Sequence, residues 1–149
     1  MSLKSVLMPA MKAAMKAKDK VALETLRAIK AELLKIETSG HLKELSKVDE
    51  VKLLQKMQKQ RKDAAAIYVE QGRHDLADDE LAQTKILAQF LPQQMTQVEL
   101  EIAVAAIIQK LGASSSTDIG KVMGVASKEL MGKSEGRDIA TTVKMLLNK

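Results

Sequence analysis

Apolar residues recur along the chain at intervals of three and four, interrupted by short polar stretches, so each uninterrupted run predicts one helix. Across residues 3 to 18, Leu7, Met8, Met11 and Met15 form a stripe with lysines elsewhere, and a methionine stripe at helical spacing is expected to be core. Pro9 falls inside that run and must kink the helix or stand close to its start. Asp19 offers a cap for a second helix, in which Ala22, Leu26, Ile29, Leu33 and Ile36 follow an alternating four-three spacing. Such a seam needs a partner helix, and two heptads are too few for a long coiled coil. An antiparallel hairpin or a small bundle is therefore expected. Gly40 closes this helix, and residues 39 to 46 read as a short loop containing His41.

Ser46 to Asp49, "SKVD", reads as a capping box that opens a third helix running toward Gly72. On a helical projection Lys52, Lys56 and Lys59 fall within about 60° of one another, while Leu54, Met57, Ala64 and Tyr68 take the opposite side. Arg61 lies with the apolar group. An arginine there must snorkel, pair with an acid of a neighbouring helix, or face a partner. The three lysines form either a solvated face or a strip that meets phosphates.

The stretch "GRHDLADDELAQTKILAQFLP", residues 72 to 92, poses the sharpest question of chemistry, because His74 stands beside Asp75, Asp78, Asp79 and Glu80. One histidine with acids on adjacent helical turns cannot surround an ion without distant ligands, so no metal is expected. The simpler reading is a helix junction: Gly72 stops one helix in a left-handed turn, and the acids sit near the positive end of the next. Ile86, Leu87, Phe90 and Leu91 form its apolar face, and Pro92 ends it.

Beyond Pro92 the pattern changes, placing a boundary between domains at residues 1–93 and 94–149. Thr96 to Glu99 is a second capping box, followed by an almost unbroken apolar helix (Leu100, Ile102, Val104, Ile107, Ile108, Leu111) stopped by Gly112. "ASSST" reads as a flexible loop. A sixth helix, about 118 to 131, carries Gly120 and Gly124, each costing about 1 kcal/mol relative to alanine in a helix interior. That cost implies close helix packing or close backbone approach to a ligand. After the turn "GKSEGR" a last helix presents Ile139, Val143, Leu146 and Leu147. The fold class expected is all-α, four helices and then three.

Composition narrows the function. Cysteine is absent, removing disulfides, thiolate zinc sites and thiol nucleophiles together. One Tyr, one Phe and no Trp leave little to stack on splayed bases, the more so if Tyr68 and Phe90 lie on core faces. No apolar stretch is long enough for a bilayer, and the start lacks the features of a secretory signal. Its four lysines before Asp19 leave a mitochondrial presequence open, but arginine and serine richness are missing; a cytoplasmic protein is expected. The net charge of +5 is concentrated early: residues 1 to 72 hold 15 Lys/Arg against 9 Asp/Glu, and residues 94 to 149 hold 7 against 6. A polyanion partner is permitted.

No catalytic constellation emerges. Ser114, Ser115 and Ser116 lack the flanking glycines of a nucleophile elbow, and "GKVMG" lacks the spacing of a phosphate-binding P-loop. No cofactor is expected. Three functions stay open: an RNA-binding accessory module, a protein-interaction adaptor docking helices on the first helix or the Arg61 face, and an enzyme.

Four segments carry a family likeness: "LRAIKAE" (26–32), "KQRKDAAAIYVEQGRHDLADDE" (59–80), "ILAQFLPQQMTQVEL" (86–100) and "DIGKVMGVASKELMGKSEGRD" (118–138). In order and spacing they resemble the YqeY-like family of small bacterial proteins. The last 56 residues or so are similar to the tail domain of GatB, the B subunit of the glutamine-dependent amidotransferase that acts on misacylated tRNA. The resemblance implies a four-helix region followed by a three-helix tail-like domain, and association with carbon–nitrogen ligase activity that uses glutamine as amide donor. It also implies tRNA contact by the tail, for which the matching positions are Lys121, Lys128, Lys133 and Arg137 with the backbone at Gly120, Gly124 and Gly132. Phosphoryl transfer and ammonia delivery occur on other modules of that enzyme, which this chain does not match.

Overall fold

A computed structural model describes residues 2–40 and 45–148; His41 and half of the expected 39–46 loop, residues 41–44, lie outside them. The described residues form seven α-helices and one 3-10 turn, so the fold is all-α. The chain divides into two compact units, Met1–Leu91 and Pro92–Lys149.

The first unit contains α1 (Leu3–Ala17), α2 (Lys20–Thr38), α3 (Lys47–Glu70) and α4 (His74–Ala88). Helices α1 and α2 pack on each other, α3 packs on α4, and α2 joins the two pairs through α4. Local chemistry sets the boundaries. The Ser2, Asp19 and Ser46 side chains each accept the backbone N–H three residues on, at 3.2, 3.0 and 3.2 Å. The "SKVD" box expected here is only half made: the Ser46 hydroxyl donates to the Asp49 carboxylate at 2.9 Å, in place of the bond from the Ser46 backbone N–H that would complete it. Gly72 adopts φ 73° after α3, where Arg73 N–H donates to the Tyr68 carbonyl at 2.8 Å and closes a Schellman turn. Lys18 makes the same left-handed turn after α1, at φ 56°, without glycine's freedom.

Ile29, Leu54 and Leu87, from three different helices, are the largest apolar side chains with essentially no exposure in this unit. Around them the α2 seam is buried at Ala22, Leu26, Ile29 and Leu33, with Ile36 half-buried. The first helix departs from expectation. It buries Leu3, Leu7 and Ala14, while Met8 and Met15 are more than half exposed, at 54% and 53%. Relative to Leu7, the methionines lie about 40° to 100° around the helix, on the side away from Leu3 and Ala14. Pro9 sits inside α1 on its exposed side, and the helix runs through it. Tyr68 and Phe90 are half-buried rather than core. Helix α4 stops at Ala88, short of Pro92. Gln89, Phe90 and Leu91 follow with hydrogen bonds to the third residue back, because the residue before a proline is disfavoured in helical geometry.

The second unit contains α5 (Gln97–Leu111), the 3-10 turn Ser116–Asp118, α6 (Ile119–Glu129) and α7 (Gly136–Leu147), each helix packed on the other two. One valine from each, Val104, Val122 and Val143, is fully buried in a single cluster with Leu100, Ile107, Ala126, Leu130, Ile139 and Leu147. Each buried valine stabilises the unit by roughly 1.5 to 3 kcal/mol relative to an exposed one. The Thr96–Glu99 box is complete: Glu99 N–H donates to the Thr96 hydroxyl at 3.2 Å and Thr96 N–H to the Glu99 carboxylate at 3.1 Å. The apolar character of α5 overstated its burial, since Val98 and Ile102 are each 65% exposed.

Candidate nucleic-acid interface

Helix α6 buries Val122 and Ala126 and turns its other side to solvent, where Gly120, Lys121, Gly124, Ser127 and Lys128 are all exposed. Gly120, Gly124 and Ser127 share one meridian within about 60°, and Lys121 and Lys128 stand together along its flank, about 10 Å apart along the axis. A Cβ built on Gly120 or Gly124 meets nothing within 4 Å. Helix packing, the first explanation for this glycine pair, is therefore overturned: among the described residues no neighbouring element comes within 4 Å of either Cβ position. What the glycines leave is a strip of bare helical backbone beside two lysines.

The start of α6 is built, not loose. The Asp118 carboxylate accepts the N–H groups of Ser114 and Ser115, at 3.0 and 3.4 Å, and the Ser115 and Thr117 hydroxyls are 2.7 Å apart. These bonds tie the "ASSST" segment, expected to be a flexible loop, into the 3-10 turn before α6. Those two N–H bonds, chiefly that of Ser114, hold the Asp118 carboxyl below the usual carboxylate range, with the charge of Lys121 adding in the same direction.

At the other end of α6, Gly132 is buried and turns with φ 79°. Its carbonyl accepts the Gln94 side chain at 2.6 Å, and the Lys133 carbonyl accepts Met95 N–H at 2.8 Å. This corrects the placement of Gly132 on a contact surface, since its backbone is occupied by the segment that enters the unit. Gln94 carried no periodic or motif signal in the sequence, as its role is a single long-range bond. Lys133 in this turn and Arg137 near the start of α7 are exposed. Lys121, Lys128, Lys133 and Arg137 make no ion pair within the unit's described residues.

In the first unit, Lys52, Lys56 and Lys59 are exposed on α3, with Lys59 3.6 Å from Asp63. Arg61 is half-buried, but its partner is an amide and not an acid: Nε donates to Gln83 Oε1 at 2.7 Å, and a terminal nitrogen donates to the Met57 carbonyl at 3.2 Å. With Gln58 Nε2 donating to the Thr84 carbonyl at 3.1 Å, Arg61 stitches α3 to α4. Asp75 forms a two-pronged pair with Arg73, both bonds 3.1 Å, which holds its carboxyl below the ordinary range. Asp78 and Asp79 are exposed. Among the described residues no three His, Asp or Glu side chains are gathered as a metal would need.

A family model described as Yqey-like protein matches residues 4–147, nearly the whole chain. The chain belongs to the YqeY-like family. None of the curated proteins matches it. The match spans both units of this YqeY-like chain, the α6 ridge and the α3–α4 junction included. No helix among its described residues is long and apolar enough to cross a membrane.

Proposed function

We propose that this YqeY-like chain is a non-catalytic accessory protein whose C-terminal unit holds the phosphates and backbone shape of tRNA on the outer face of α6. The observation that carries the reading is the open space above Gly120 and Gly124 beside Lys121 and Lys128. Bare backbone lets a sugar–phosphate strand approach closely, and the lysines supply point charges for its phosphates. Lys133 and Arg137 extend the cation set. The aromatic residues Tyr68 and Phe90 are half-buried in the other unit, so recognition through shape and phosphate is favoured over base stacking. The relation to a glutamine-dependent carbon–nitrogen ligase is one of association: the serines nearest α6 are bonded within the turn that precedes it, and the ligase chemistry belongs to other modules.

Filter binding of the purified chain to total tRNA across a salt series tests the reading. Three or four phosphate contacts predict a loss of affinity of about 40- to 150-fold between 50 and 200 mM salt. Replacing Lys121 and Lys128 together by Glu removes two contacts and is expected to weaken binding at least about tenfold and flatten the salt slope by about two. Gly124→Leu, which fills open space and leaves the core alone, should also weaken binding. Affinity indifferent to salt and to all three substitutions would end the proposal.

A further inference from the structure

The first unit carries a groove that its own fold leaves uncovered. Leu7 of α1 and Leu33 of α2 are buried at its floor, and Met8, Met11 and Leu34 rise as its walls around a cleft of about 210 Å³. Met8 and Leu34 are 54% and 56% exposed. One end is closed by the Lys4–Glu37 ion pair at 2.7 Å. This is the methionine stripe that periodicity assigned to the core; α2 fills the other side of α1 instead. Exposed methionines are flexible and polarisable, and they suit the reception of apolar side chains of varied shape.

Cations outnumber acids around the groove, although α2 brings Glu24, one turn from Arg27, and Glu37 against its own Arg27 and Lys30. Helix α1 holds Lys4, Lys12 and Lys16 and no acid. Lys12 stands next around α1 from Met8, and Arg27 and Lys30 flank Leu34 on α2, within about 40° of it on a helical projection. Lys12, Arg27 and Lys30 are exposed and make no ion pair among the described residues. Glu37, an acid that does line the groove, is taken by Lys4.

We propose that this α1–α2 groove docks an amphipathic helix of a partner protein, one that seats apolar side chains on Met8, Met11 and Leu34 and sets acidic residues against Lys12, Arg27 and Lys30. An extended phosphate backbone would meet the cations and leave the methionines in water. A bilayer surface takes an apolar ridge better than a concave cleft. A helix does both jobs, since three- and four-residue spacing puts anchors on one stripe and carboxylates along its borders. The groove follows α1 from Lys4 to Met11, about 10 Å, which is matched by about two turns of a partner helix.

The test uses the full chain with isotope-labelled methionine methyl groups, titrated with a synthetic amphipathic peptide of about 15 residues. The peptide bears leucines on one stripe and glutamates on its borders. The Met8 and Met11 methyl resonances are expected to shift while those of Met123 and Met131, in the other unit, stay in place. A peptide with lysine at every glutamate position should leave all four unmoved. Leu34→Gln, and Arg27→Gln with Lys30→Gln, change exposed side chains, so circular dichroism should stay native while each weakens peptide binding by about tenfold. Equal binding of the two peptides, silence of Met8 and Met11, or indifference to both variants overturns the proposal. So does the same shift produced by phosphatidylserine vesicles or by tRNA and not by the acidic peptide, which would make the groove a membrane or nucleic-acid surface.

Discussion

Glu50 is the side chain least anticipated by its position on a charged helix. It is 6% exposed, and its carboxylate accepts the N–H of Leu3 at 3.1 Å, so α3 supplies an acceptor for the first turn of α1. Glu50→Ala leaves a buried donor unpaired and is expected to cost about 1 to 3 kcal/mol in denaturant unfolding. Glu50→Gln, which keeps an oxygen without the charge, should cost about half of that. Asp118 carries a pH signature instead. Its carboxyl is held low by the Ser114 and Ser115 N–H groups, so the folded state binds its proton less readily than the unfolded chain does. The stability this supplies is fully present above the ordinary carboxylate range and is lost as pH falls through the depressed value. Asp118→Asn should therefore melt below the native chain at neutral pH, and the gap should close on acidification. Melting curves of both proteins from pH 7 downward check the sign, and a gap that widens in acid would refute it.

Caps and stops were the most legible features of the helices, because each depends on a few adjacent residues. Asp19, Ser46, Thr96, Gly72 and Gly112 all sit where their local chemistry predicts. Faces were legible only where a single stripe is apolar, as in the Ala22 to Leu33 seam. In α1 two stripes compete, Leu3–Leu7–Ala14 and Met8–Met11–Met15, and which one turns inward is decided by packing on α2 and the Leu3–Glu50 bond to α3, which periodicity does not contain. The same holds for α5, where Ile102 is as apolar as Ile107 yet exposed. Pro9 adds a second lesson about α1. The helix runs through it, so the proline withholds a backbone donor that a continuous helix would use. An alanine there recovers most of the roughly 3 kcal/mol that separates the two residues in a helix interior, less about 0.4 to 1 kcal/mol for the greater freedom of the unfolded chain. Pro9→Ala is expected to raise stability by about 2 kcal/mol in chemical denaturation, and a neutral or negative change would refute this account of the proline's cost.

For the molecule taken whole, the contrast between its units is one of charge and of core. The excess of cations lies in the first 72 residues, yet the proposed tRNA face is in the second unit, where 7 Lys/Arg meet 6 Asp/Glu. If net charge decided binding, the first unit would dominate; if local geometry decides, the glycine ridge of α6 suffices. That proposed α6 face was legible only in part: the family likeness named Lys121 and Lys128, but whether Gly120 and Gly124 faced a helix or open space depended on tertiary packing, and Gly132 was lost to a long-range bond from Gln94. The two explanations separate on a fragment of residues 92–149. It has its own core, centred on Val104, Val122 and Val143, and domains of about 55 to 65 residues fold alone with a margin of roughly 3 to 5 kcal/mol. The fragment is expected to give a helical spectrum and a cooperative melt. Val104→Ala, which removes about 2 kcal/mol or more of burial, should take most of that margin. Local geometry then predicts that the folded fragment keeps the tRNA salt slope of the full chain, because the same few phosphates are neutralised. A slope that collapses in the folded fragment would move the electrostatic contact to the lysines of the first unit.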